Sequence, residues 1–154
     1  VAARRAKAAR VSIPAIGMRA RLDTVGARKG SMVIPENVAR GGWLASSAAP
    51  GEAIGSTVIA GHVSDRHDRR GPFGKLTKAR KGQVVTVRGA DGTVQRYRIE
   101  RIYTQLRTKG FTGDPVSTTG PHQLTLVTCT GKVTFPNGRY HYTKNLVVVA
   151  TPIG

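Results

Sequence analysis

Cysteine is almost absent: Cys129 is the only one in 154 residues, so no intrachain disulfide exists and stability has to come from packing. Aromatic residues are scarce as well, at 5% against 39% hydrophobic, which makes the expected core largely aliphatic. Acidic residues number 8 against 25 Lys and Arg, for a formal charge of +17. Such a field calls for a polyanionic neighbour, either nucleic acid, an anionic membrane surface or an acidic wall polymer. The basic residues are not interleaved with aromatics and form no zinc-finger or helix-turn-helix pattern, and charge alone leaves the partner open. No Cys/His spacing suits zinc. No apolar run reaches the roughly 18 residues that span a bilayer. The expectation is a soluble domain, with any anchor or signal peptide outside it. No internal repeat and no long amphipathic helix is visible.

What is present reads as β structure in one domain. Nineteen Gly and eight Pro, spread along the chain, suit many turns between short strands. Residues 1–10 (VAARRAKAAR) form a basic lead-in, a short helix, a frayed tail or a juxtamembrane segment. Residues 11–154 are expected to make the folded domain. From Val11 the texture becomes β, with Arg19 and Arg21 alternating with Ala20 and Leu22. Residues 27–56, rich in Gly, Ala, Ser and Pro around Trp43, read as loop with a short helical turn. STVIAG at 56–61 is an apolar strand. QVVTVR and TVQRYRIERIY form a hairpin through Asp91-Gly92, a tight-turn dipeptide. In the second arm Val94, Tyr97, Ile99 and Ile102 supply the apolar side, with one break in the alternation. A Gly/Thr-rich loop over 107–122 precedes the strands LTLVTC (124–129) and NLVVVA (145–150).

Two strands end in reactive groups. Cys129 closes LTLVTC beside Thr-Gly, and a solitary Cys is either a small buried hydrophobe or a working thiol that needs exposure and a nearby cation. His62 closes STVIAG-H, where Gly61 permits an unusual turn or a close approach of another segment. The two lie 67 positions apart and meet if their strands are neighbours in one sheet. His67, His122 and His141 lie in polar, loop-like sequence and make weaker partners. On the residues alone, a surface His and a structural Cys remain open readings.

The series VSIPAIGMRARL, GGWL, PGEAIGSTVIAGHV, GPFGKL, KGQVVTV, LTLVTC and NLVVVA, in this order, resembles the sortases over Val11–Ala150. AGH at 60–62 and TLVTC at 125–129 carry most of the likeness. The IPAIG opening, GGW and the PG-x-x-G-S-T-V-I-A-G-H run resemble the class F or E enzymes of high-GC Gram-positive bacteria. The resemblance implies an all-β fold, a closed eight-stranded barrel with short helices in the connections and a groove for an extended peptide. It implies a cysteine transpeptidase that cleaves an LPxTG-like sorting signal of a surface protein between Thr and Gly through a thioacyl intermediate. The product then passes to an amine of a cell-wall precursor. Cys129 is implied as nucleophile and His62 as acid/base partner.

The family also uses an arginine near the thiol, two positions before the Asn of an NVVV-like strand, and here that place holds Thr143. The only Arg after Cys129 is Arg139, which shares the strand parity of Thr143. A bulge or an altered register would bring Arg139 opposite Cys129. Arg139 is therefore the expected third catalytic residue, with Lys144 behind it. No metal or organic cofactor is expected. The expected setting is the outer face of the cell membrane, with an N-terminal anchor outside this chain, an anionic membrane or wall surface nearby, no nucleic acid, and a monomer. Two alternatives stand beside this reading. An L,D-transpeptidase lacks support, because Cys129 sits in Val-Thr-Cys-Thr-Gly rather than Ser-x-Gly-Cys-x-Arg. A non-catalytic basic barrel explains the charge and leaves the AGH and LVTC blocks as coincidence.

Overall fold

The alternation in MRARL is realised as a strand whose inward residues, Met18, Ala20 and Leu22, are buried while Arg19 and Arg21 face out. The computed structural model describes residues 6–29, 31–65, 67–106 and 114–154. In it the same logic repeats around a closed barrel. The strands are β1 (Ala8–Ile13), β2 (Met18–Val25), β3 (Ala27–Arg28), β4 (Ser31–Met32), β5 (Arg40–Leu44), β6 (Ser56–Ala60), β7 (Val84–Gly89), β8 (Val94–Leu106), β9 (Gln123–Thr134) and β10 (Tyr140–Ile153). Their order around the barrel is β1-β2-β5-β6-β9-β10-β8-β7, with β3 and β4 forming a separate small hairpin. The β2–β5 and β6–β9 pairs are parallel and the other barrel neighbours are antiparallel. The expected all-β, eight-stranded closed barrel is therefore the observed one, with 3₁₀ turns at Pro14–Ile16, Pro72–Lys78 and Asp114–Val116 as its helical elements. Among the described residues no helix is long and apolar enough to cross a membrane.

Three local readings are refined. β1 opens at Ala8, inside the basic lead-in, because Ala8 is buried and Arg10 pairs on both sides. Residues 1–5 and 107–113 lie outside the described residues. The segment 27–56 contains a barrel strand, β5, that Gly41 and Gly42 hide from a propensity reading. Gly41 is needed there because a Cβ would stand 2.6 Å from the Phe73 ring. Along β8 the broken alternation has a cause. Val149 pairs with Arg101 but Ala150 pairs with Ile99, so Glu100 bulges and the inward parity switches between Ile99 and Ile102. Val94, expected on the apolar side, is instead exposed at the strand's start.

The β7–β8 turn follows Asp-Gly chemistry. Asp91 Oδ1 accepts from the Thr93 N–H at 3.0 Å and the Thr93 hydroxyl at 2.6 Å, and Gly92 takes φ +87°. Inside the barrel the core is aliphatic, as the composition requires, apart from Tyr97, Phe73 and Trp43. Phe73 and Leu76, delivered by the 3₁₀ turn in GPFGKL, are fully buried. Burying a side chain such as Phe73 stabilises by about 1.5–3 kcal/mol.

Candidate active site

β9 alternates Leu124, Leu126 and Thr128 toward the interior with Thr125, Val127 and Cys129 on the other face. The thiol therefore faces away from the core, and Cys129 is half-buried. β6 runs parallel to β9 in a constant register, from Ser56↔Gln123 to Ala60↔Val127. Beyond Ala60 the pairing continues through two bonds. The Gly61 N–H donates to the Val127 carbonyl at 3.2 Å, and the Thr128 hydroxyl donates to the Gly61 carbonyl at 2.8 Å. One residue further, the same register sets His62 alongside Cys129, at the roughly 4.8 Å spacing of neighbouring strands. His62, like Ala60 and Val58, has the outward parity and is half-buried.

Gly61 supplies the close approach expected of it, and the approaching group is an aromatic ring: a Cβ on Gly61 would lie 2.2 Å from Phe73 Cδ1. The buried phenyl thus seats the backbone just before the histidine. On the other side of β9, Asn145 of β10 is the direct partner of Cys129. Partners directly opposite in an antiparallel pair project to the same face, with Cβ atoms about 5 Å apart. His62, Cys129 and Asn145 therefore form one row across three neighbouring strands. Beyond it, Ser64 Oγ and Tyr142 Oη share a hydrogen bond of 2.9 Å that ties the loop after His62 to β10.

Asn145 also lines an apolar groove of about 470 Å³, floored by Val58, Ala60 and Val127 and walled by Met32, Ile34 and Leu44. A second, polar cavity of about 500 Å³ takes in His62 with Asn37, Ser64 and Asp65. Asp65 is held by Arg69 at 2.7 Å and by the N–H groups of His67 and Arg69; the Arg69 N–H is the largest influence keeping its carboxyl below the usual range.

The remaining candidates fall elsewhere. Arg139 lies at the tip of the β9–β10 hairpin, exposed, its N–H donating to Asn137 Oδ1 at 2.9 Å and its carbonyl accepting from the Phe135 N–H at 2.7 Å. The ladder keeps one register from Tyr140↔Thr134 to Ala150↔Leu124. No slip or bulge brings Arg139 opposite Cys129. Six positions separate it from Asn145, about 20 Å at the rise of an extended strand. The β6–β9 register, carried two residues past its last pair, Ala60↔Val127, brings His62 level with Cys129, and Arg139 stays apart from both. Lys144 is exposed, pairs with Thr130 and has the parity opposite to Asn145. His67 is exposed in the Asp65 turn, and the side chain of His141 lies outside the described residues.

Sequence reasoning passed over two residues. Asn145 was visible only as the first letter of NLVVVA. His122 looked like loop but is buried at 7% exposure, at the start of β9. Its Nδ1 lies 2.9 Å from the Gly55 carbonyl and its Nε2 lies 2.7 Å from Tyr97 Oη. A carbonyl only accepts, so Nδ1 carries the proton, and Nε2 accepts from the Tyr97 hydroxyl. Burial pushes the His122 pKa down, opposed by the Gly55 carbonyl and by Glu52, and burial raises that of Tyr97. Gln123 Nε2 adds a bond to Ser56 Oγ at 2.8 Å. Together these contacts fasten the starts of β6 and β9, the two strands whose far ends carry His62 and Cys129.

Among known proteins, a family model described as the sortase domain matches residues 11–153. The fold is similar to sortase C1 of Streptococcus agalactiae, with a TM-score of 0.66, 24% identity, and 95% of this chain and 67% of that chain covered. It is similar to sortase C of Streptococcus pneumoniae, at 0.69 and 24% over 94% of this chain and 65% of that one. A lid mutant of sortase A from Corynebacterium diphtheriae matches at 0.64 and 23%, over 99% and 73%. The chain thus spans about two thirds to three quarters of these solved chains. No curated protein sequence matches it significantly.

Proposed function

This chain belongs to the sortase family, and we propose from that premise that it cleaves an LPxTG-like sorting signal with Cys129 and His62 and passes the acyl group to an amine. Sortases are transpeptidases; the residue roles are this chain's own. The observation that carries them is the row His62–Cys129–Asn145 at the end of an apolar groove. An extended peptide in the groove, its Leu and Pro against Val58, Val127 and Leu44, would present its Thr–Gly carbonyl to the row.

In the first half-reaction the Cys129 thiolate adds to the Thr carbonyl carbon and the π electrons move to oxygen. Backbone N–H groups and the Asn145 carboxamide, one strand from the thiol, stabilise the oxyanion. The C–N bond then breaks as His62, an imidazolium, gives its proton to the leaving Gly amine. In the second half an amine from a wall precursor attacks the thioester, His62 takes its proton, and the thiolate leaves. Arg139 is not given the oxyanion, because the hairpin register holds it about 20 Å along the strand. The likeness of IPAIG and GGW to the class F or E enzymes supports a wall-anchoring role at the outer face of the membrane.

Incubating the protein with LPxTG-type peptides and a panel of amines, with products read by mass spectrometry, tests the reading. The expected products are a peptide ending at Thr joined to the amine and a trapped thioester on Cys129. Cleavage that survives alkylation of Cys129 would overturn it. A non-catalytic barrel predicts neither product.

A further inference from the structure

The outer side of the barrel from β7 round to β5 carries a row of its own. In the strand order, β7, β1, β2 and β5 are successive neighbours. Their registers pair Arg88 with Arg10, Arg10 with Arg21, and Arg21 with Arg40. Residues directly opposite project to one face, so four arginines stand in line across four strands, a span of about 14 Å at 4.8 Å per strand. In the next row Ser12 lies between Thr86 and Arg19. Arg10, Arg19, Arg21 and Arg88 are exposed, and their strands alternate with buried Val11, Ala20, Leu22 and Val87. Like charges directly opposite one another destabilise a sheet. Among the described residues the one ion pair on this face is Arg40 with Asp23, at 2.6 Å.

Three arginines of the row, Arg10, Arg21 and Arg88, with Arg19, Ser12 and Thr86 of the next, line a groove of about 420 Å³. Planar guanidinium forks with flanking hydroxyls suit phosphate oxygens, which they bind in pairs. A repeated phosphate is needed to meet a repeated arginine. We propose that this face docks a linear phosphodiester polyanion of the cell wall, such as a poly(glycerol phosphate) chain, while the His62–Cys129 side of the barrel stays open to substrate. β1 and β7, which carry Arg10 and Arg88, lie across the eight-stranded ring from β6 and β9, so a polymer on them leaves the thiol side open; only the Arg40 end of the row, on β5, borders β6. Two observations favour a soluble polymer over a bilayer. The arginines line a concave groove, and of the exposed large apolar residues, Val33, Ile54, Val94, Leu106 and Phe135, only Val94 adjoins the row to anchor in lipid. Sortases work outside the cell, where nucleic acid is not the prevailing polyanion. The inference rests on the charge row and, for the choice of a wall polymer, on the family's setting outside the cell; it stands or falls separately from the acyl-transfer reading.

The test is a binding titration of the full chain with end-labelled poly(glycerol phosphate), repeated between about 50 and 200 mM salt. Three proteins are compared: the wild type, the triple Arg10→Ser/Arg21→Ser/Arg88→Ser, and a charge-matched triple Lys29→Ser/Lys81→Ser/Arg101→Ser on other surfaces. The expected result is a loss of about 100-fold in the arginine triple and under about threefold in the matched one. The slope of log affinity against log salt should flatten by about 2 in the arginine triple, from three lost contacts at roughly 0.7 each. Arg21→Ser alone, at the centre of the row, should lose about fivefold and serves if the triple folds poorly by circular dichroism. Equal losses in the two triples would reduce the effect to diffuse charge and overturn the proposal. So would equal displacement by polyglutamate of matched charge. A selective loss on phosphatidylglycerol vesicles, with polymer binding unchanged, would make the face a membrane-docking surface and overturn it as well.

Discussion

Strands β6 and β9 run side by side, and their two ends treat histidine in opposite ways. At the start, His122 is buried and both ring nitrogens are engaged, by the Gly55 carbonyl and the Tyr97 hydroxyl. At the finish, seven positions on, His62 is half-buried at the level of Cys129 and borders a polar cavity. An imidazole whose two nitrogens are saturated in a dry setting is a fastener, since moving its proton would break a bond that nothing replaces. The same ring on the wall of a cavity is within reach of whatever enters, and can exchange protons with it. Burial and partners decide between the two uses, and one strand pair holds both. The closed end also serves the open one, because a fixed register at the start is what sets His62 beside the thiol at the end.

The comparison breaks most visibly at the open end. Cys129→Ala should cut peptide cleavage by about 10⁴-fold or more, and His62→Ala by nearly as much, because each removes a group that forms or transfers a bond. Thermal melts of both variants should stay within about 0.5 kcal/mol of wild type, since neither group is part of the core. Steady-state cleavage assays and melts on the same preparations check this. A large stability loss in His62→Ala would mean that the open end is a fastener too. Next in size is Asn145→Ala, expected to lower kcat/KM by about 100-fold, the order seen for one oxyanion-hole donor. Asn145→Asp should do worse than Ala, as a carboxylate facing an oxyanion repels it. Equal, small effects of both would remove Asn145 from the site.

At the closed end the readouts exchange places. His122→Ala takes the Tyr97 hydroxyl's acceptor and the shorter of the Gly55 carbonyl's two donors, leaving that carbonyl only the Gln123 N–H at 3.4 Å, at about 1–3 kcal/mol for each lost bond. The melt should fall by roughly 5–10 °C, while cleavage well below the melt stays within about tenfold. The pH dependence has a definite sign. The folded-state pKa of His122 is lowered by burial from its ordinary 6.5. The unfolded chain therefore binds a proton first as pH falls, and the stability contributed by neutral His122 is complete above about pH 6.5 and drains away below it. Melts at pH 7.5 and 5.5 should show a wild-type loss that is smaller in His122→Gln. A wild-type loss no larger than that of His122→Gln would mean that His122 is not held neutral.

Much of this was legible beforehand, for reasons that also explain the misses. Alternation in MRARL and Asp-Gly at the β7–β8 turn report local geometry, so β2 and that hairpin follow from the residues alone. The 67-residue spacing of His62 and Cys129 is the offset of the β6–β9 register itself, which motif order suggested and only pairing could establish. β5 escaped because Gly41 and Gly42 lower its strand propensity, Gly41 to clear Phe73, 32 positions on, and Gly42 to clear Val25 and Pro35. His122 escaped because polar neighbours in sequence say nothing of Tyr97, which reaches it across the barrel. Register was the weakest inference. The placement of Arg139 near the thiol required a slip in β10, and a ladder in one register from Tyr140↔Thr134 to Ala150↔Leu124 has none.

That last point yields the smallest predicted effect and the sharpest test of the row. If the ladder holds in solution, Arg139 stays at the hairpin tip, where Phe135 and Asn137 close the turn around it through backbone bonds. Its side chain spans about 7 Å at most, against about 20 Å to the Asn145 position. Arg139→Ala should then change kcat/KM by less than about threefold and leave the melt unmoved, with Lys144→Ala behaving alike. The two variants differ only if the tip curls over the groove, because only then does Arg139, with the parity of Asn145, meet the row that Lys144 faces away from. A loss of about 100-fold confined to Arg139→Ala, partly recovered by Lys, would place a guanidinium at the oxyanion. In that event Asn145→Ala should be nearly silent, since one donor would have taken the other's place. The pair of kinetic results therefore decides which strand position of β10 completes the site, independently of any change in Cys129 or His62.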